Sequence, residues 1–67
     1  MKKLESFMCV IFEDAFCVWD INIKQCDSYW CNYYSGKVAG FIMAFRVLDY
    51  DVSVYESKWK KNLQLMD

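Results

Sequence analysis

Sixty-seven residues carrying eight Lys/Arg against nine Asp/Glu give a formal net charge of −1, with no His and no Pro. That length excludes two separately cored domains, so residues 1–67 are expected to form a single compact domain. The interspersed charges argue against the basic patch of a dedicated nucleic-acid binder and equally against an anionic array that mimics DNA.

Apolar residues make up 57% of the chain, thirteen of them Phe, Tyr or Trp, where a globular domain usually carries roughly 45–50%. A chain this short hides only about 60% of the surface its unfolded form exposes. Some aromatic surface is therefore expected to stay outside, and large exposed apolar patches mark contact sites. The longest apolar or small run, Val38–Phe45, ends at Arg46. It is far short of the about 20 residues a membrane span needs. Met1-Lys2-Lys3 resembles a signal-peptide start, but Glu5 interrupts the apolar segment behind it, and Glu13-Asp14 close that segment before any small-residue cleavage site. The cytoplasm, including that of a host cell, is the expected compartment.

From Leu4 the apolar residues fall at 4, 7, 8, 11, 12, 15, 16 and 19, the stripe of an amphipathic helix. Lys2-Lys3 at the start and Glu13-Asp14 near the end oppose the dipole of such a helix. The alternative over residues 4–19 is an N-terminal hairpin, Phe7–Phe12 with Phe16–Lys24, turning at Glu13-Asp14-Ala15. From Trp19 the period changes to two: Trp19, Ile21 and Ile23 alternate with Asp20, Asn22 and Lys24, as in a strand with one wet face. Lys24–Ser28 reads as a polar turn and Tyr29–Tyr34 as a second strand. Ser35-Gly36 then reads as a hairpin turn, with glycine supplying positive φ, leading into a third strand over about Lys37–Leu48. Ser53-x-x-Glu56 fits a capping box for a last helix whose Val52, Tyr55, Trp59, Leu63 and Met66 share one face. The expected fold class is α+β, a small α-β-β-β-α domain with a three-stranded antiparallel meander and helices on one face.

The four cysteines, Cys9, Cys17, Cys26 and Cys31, lack the close pairs of a structural zinc site, and Cys26-x₄-Cys31 has no His to complete it. Four separate buried thiols, unpaired and acting as small hydrophobes, are expected, with Cys31 on the core face and Cys26, in a turn, the most reactive. General acid–base chemistry most often uses His, which is absent. Asp49-Tyr50-Asp51 faintly resembles a calcium loop, but Val54 and Lys60 occupy the positions that require Gly and Glu. Ser35-Gly36-Lys37 is a fragment of a phosphate loop. No enzyme activity, metal or cofactor is expected, and Lys58, Lys60 and Lys61 read as a solvated helix face.

In the meander register, one sheet face collects Trp19, Ile21, Ile23, Tyr29, Cys31, Tyr33, Val38 and Ile42 as a core. The other collects Asp20, Asn22, Lys24, Trp30, Asn32, Tyr34, Phe41, Met43 and Phe45. The candidate partner-binding residues are Trp30, Tyr34, Phe41, Met43 and Phe45. The expected function is a small non-catalytic protein that binds a larger protein and modulates or inhibits it. Compact chains of this size without catalytic residues occur among phage and mobile-element proteins that disarm host enzymes and antagonise host defence. One alternative is self-association, through the apolar edge of the third strand or through the aromatic faces. A second is stacking of single-stranded nucleic acid on the aromatic sheet face, disfavoured by the scarcity of basic residues beside it.

Overall fold

The computed structural model describes residues 2–66, and among them there are three helices and no strand: α1 Lys2–Lys24, α2 Ser28–Val47 and α3 Ser53–Leu65. The fold is a helical bundle, and the expected α+β meander is wrong, as is the N-terminal hairpin alternative. A 23-residue helix is about 35 Å long, so α1 runs nearly the whole 38 Å long axis of a molecule only 16 Å across in the other two directions.

α1 follows the apolar stripe read from the sequence and continues past it. Met8, Phe12, Ala15, Phe16 and Trp19 are buried, and Ile23, four residues beyond Trp19, keeps the row going against the core. The alternation at Trp19, Ile21 and Ile23 therefore belongs to a helix. Positions 19 and 23 face inward, Ile21 faces solvent, and five residues are too few to separate the two periods. The longer helix removes the Glu13-Asp14 half of the dipole objection, although Lys2 and Lys3 still lie in its first turn. Glu5 now lies in the first turn and Lys24 in the last, while Glu13 and Asp14 sit mid-helix.

The polar stretch after α1 is a helix-ending motif, not a hairpin turn. Cys26 takes φ 56°. The Asp27 N–H donates to the Asn22 carbonyl at 3.0 Å and the Cys26 N–H to the Ile23 carbonyl at 3.1 Å. This is the Schellman pattern, which closes the last turn around one left-handed residue. Asp27 then caps α2, its Oδ1 accepting from the Trp30 N–H at 3.2 Å.

α2 replaces the second and third expected strands. Its buried row is Cys31, Val38, Ile42 and Phe45, with Tyr34 and Phe41 half-buried beside it, a helical repeat throughout. Ser35-Gly36 is not a turn. Neither glycine has positive φ, and the Ser35 hydroxyl donates back to the Asn32 carbonyl at 2.9 Å as helical serines do. A second Schellman motif ends α2 at Asp49, φ 68°, with Tyr50 N–H bonded to the Phe45 carbonyl. The Tyr50 and Phe45 rings meet edge-on at 5.9 Å, the apolar contact that accompanies this motif.

α3 lies where the sequence put it, but its start is built differently. Val52 occupies the N-cap without a side-chain bond. The Ser53 N–H instead donates to Asp51 Oδ1 at 3.0 Å, which holds the Asp51 carboxyl below the usual range. Glu56 reaches Arg46 at 2.9 Å and does not fold back as a capping box would.

Phe12 is the hub. It is fully buried, stacked 4.1 Å from Tyr55 and within about 6 Å of Phe16, Phe41 and Phe45. Phe12, midway along α1, meets Phe41 and Phe45 late in α2. Ile23 near the end of α1 lines one cleft with Cys31 near the start of α2, so these helices run antiparallel. α3 returns along α1: the Tyr55 hydroxyl donates to Cys9 Sγ at 3.2 Å, and Asn62 Nδ2 donates to Asp20 Oδ1 at 2.9 Å. Lys58 pairs with the same carboxylate at 3.6 Å. Asp20 and Asn22, read as the wet face of a strand, are thus a clamp onto α3 and an intrahelical bond to the Val18 carbonyl.

Candidate protein interface

Burying the row Cys31–Tyr34–Val38–Ile42–Phe45 turns the opposite side of α2 outward. A 3.6-residue period places there Tyr29, Tyr33, Gly36, Gly40, Met43 and Val47, spaced alternately four and three apart. All six are exposed. Tyr29 retains 71% of its surface, Tyr33 49%, Met43 65% and Val47 84%. No acidic residue occurs anywhere in α2. A monomer rarely leaves so continuous an apolar row in water.

Beside the first half of this face the aromatic rings touch one another in a chain. The Tyr29 and Trp30 rings meet edge-to-face at 5.1 Å, Trp30 and Tyr33 at 5.4 Å, and Tyr33 and Tyr34 at 5.1 Å. Such geometry aligns the positive ring edge with a negative face. The Lys37 ammonium lies 5.8 Å from the Tyr33 ring centre and 5.4 Å from that of Tyr34, within cation–π range. With only two side-chain torsions each, Tyr and Trp lose little freedom on binding, which is what makes them effective anchors.

The five candidate partner-binding residues do not share a surface. Trp30 and Met43 are exposed but lie on different sides of α2. Tyr34 and Phe41 are half-buried against the core, and Phe45 is buried within it at 7% exposure. Phe45 is thus a packing residue. Sheet alternation had placed Tyr34, Phe41, Met43 and Phe45 on one face because it advances every second residue to the same side; helical rotation disperses them. The residues missed are Tyr29 and Tyr33, assigned to the core, together with Val47 and the two glycines. Their alternate four-three spacing was the available signal. The aromatic sheet face expected to stack nucleic acid does not exist among the described residues, nor does a strand edge for self-pairing.

Elsewhere the surface is less continuous. On α1 the exposed Phe7, Val10, Cys17 and Ile21 form a comparable row, but Asp14 stands in its middle. An open cleft of about 550 Å³ between α1 and α3 is lined by Lys24, Lys58 and Lys61 around Asp20, over Ile23 and Leu65. The four cysteines are unpaired, but the expectation that all are buried fails. The outward turns of α1 and its end leave Cys17 and Cys26 in solvent and Cys9 only partly covered. Cys31 is buried and its thiol is pushed up, chiefly by that burial and then by Asp27 and Cys26. Among the described residues no three metal-ligating side chains come together, and no helix is long and apolar enough to cross a membrane. No family model matches the chain, and neither a curated protein nor a solved structure matches it.

Proposed function

We propose that this chain is a non-catalytic binding protein that docks through the outer face of α2 onto another protein and modulates or inhibits it by covering its surface. The observation that carries this reading is the uninterrupted exposed row of Tyr29, Tyr33, Gly36, Gly40, Met43 and Val47, with Trp30 at its rim. Tyr and Trp dominate interface energetics because each buries a large area at the cost of two torsions. The row is uncharged along its length, so no buried carboxylate or ammonium has to be matched by the partner.

Affinity capture from cells that contain the partner, with the wild-type chain, Tyr33→Ala and Trp30→Ala, tests the reading. Truncating a hot-spot ring costs about 2 kcal/mol or more, enough to remove a partner from the eluate. Equal recovery of every captured protein by all three chains, each shown to be folded by far-UV circular dichroism, would refute the α2 face as the docking surface.

A further inference from the structure

The outer row of α2 is complementary to itself. Laid antiparallel against a copy, with the two-fold axis at the level of Val38, Tyr29 comes opposite Val47, Tyr33 opposite Met43, and Gly36 opposite Gly40. Each large ring then meets an aliphatic side chain that can yield to it, and the flexible thioether of Met43 suits an aromatic edge. The two glycines meet at the axis, where the added methyl of any other residue would keep the backbones apart. Open space surrounds the Cβ position of both, so nothing in the chain's own fold uses the notch they make. Small residues at a helix crossing permit such close approach. A parallel pair would set Tyr29 and Tyr33 against their own copies, holding the helices apart where the glycines need them close.

Charge and area point the same way. The row contains no carboxylate, ammonium or guanidinium group. Of its two neighbours, Lys37 leans back over Tyr33, Tyr34 and Phe41, and Arg46 is bonded to Glu56. The rival row on α1 would bury Asp14 unpaired. From the exposures of Tyr29, Tyr33, Met43 and Val47, each face offers on the order of 500 Å². Two faces together reach about 1,000 Å², the least area a biological interface is expected to bury. We infer that α2 pairs antiparallel with α2 of a second copy, forming a two-fold dimer in which the aromatic face is covered. The inference rests on reading this face as an interface. Because pairing is isologous it stops at two, and a target that needs the same face competes with the partner copy.

Analytical ultracentrifugation of the full chain in reducing buffer tests the pairing. An interface of this size should give a reversible monomer–dimer equilibrium with a dissociation constant of about 10–100 µM and no larger species. Gly40→Leu should raise that constant about 30-fold or more while thermal stability holds or rises, since leucine is the better helix former. Tyr33→Glu and Met43→Lys should each be monomeric, and a 1:1 mixture should restore a dimer, because only the antiparallel register sets these positions opposite each other. A wild-type monomer up to about 1 mM, unaltered dimerisation by Gly40→Leu, or a mixture that stays monomeric would each overturn the inference. If the chain is monomeric but Tyr33→Ala loses a captured protein, self-pairing alone fails. If neither effect is seen, the α2 face fails as an interface altogether.

Discussion

Replacing Gly36 and Gly40 by alanine sets the helix against the hairpin in a single experiment. Both glycines lie inside α2 with negative φ, and a Cβ at either would meet nothing within 4 Å. No steric cost therefore offsets the gain from reducing backbone freedom in the unfolded chain. Each substitution should stabilise by about 0.8–1.0 kcal/mol. The positions are one helical turn apart with only methyl groups added, so the pair should approach about 2 kcal/mol, within about 0.5 kcal/mol of additivity. For a domain this small each kcal/mol moves the midpoint by roughly 4–8 °C, so the double variant should melt about 8–16 °C higher. Thermal and urea unfolding monitored by far-UV circular dichroism measure this, at a protein concentration low enough that self-pairing does not contribute. The urea slope should not change, since the surface exposed on unfolding is the same. A hairpin at Ser35-Gly36 requires positive φ, where alanine destabilises. A fall in stability for Gly36→Ala would refute the helical placement of this segment, and a fall for Gly40→Ala alone would mean that its outer side is not open.

The core and the titrating groups give further expected outcomes. Phe12→Ala should cost about 3–5 kcal/mol, against a total of about 5 kcal/mol expected for a chain of this length; a loss under about 1 kcal/mol in urea titration would show that Phe12 is not the hub. A thiol reagent should modify Cys17 and Cys26 rapidly in the folded chain, the partly covered Cys9 more slowly, and Cys31 only on unfolding, since the first two are exposed and Cys31 is buried; rapid reaction of Cys31 in the folded chain would contradict the packing of α1 and α2. The Tyr55 hydroxyl, donating to Cys9 in a partly buried site, has its pKa pushed from 10.0 up to about 12. Its folded pKa is raised, so its contribution is complete below pH 10 and is lost as pH climbs toward 12. The difference in melting temperature between wild type and Tyr55→Phe should accordingly narrow across that interval, and a constant difference would remove the hydrogen bond from the account.

Sequence alone showed α3 and, with a hairpin as the alternative, the part of α1 up to Trp19. The stripe from Leu4 to Trp19 and the face Val52–Tyr55–Trp59–Leu63–Met66 repeat over three turns or more, long enough for the helical period to stand out. Cys31 in the core, Cys26 at a turn and an excess of aromatic surface were legible too. The middle was not. Tyr29–Tyr34 is rich in residues that favour strands, Gly36 and Gly40 weaken a helix, and Trp19–Ile23 alternates over too short a run. What decided this segment is non-local. Phe12 and Tyr55 supply a surface onto which Val38, Ile42 and Phe45 can pack only when α2 is helical, and burial of that row outweighs an unfavourable local propensity. The candidate interface inherits the same dependence. Which of Tyr29, Trp30, Tyr33 and Tyr34 faces water depends on a rotation of 100° per residue instead of 180°, and only packing against α1 and α3 fixes where that rotation begins.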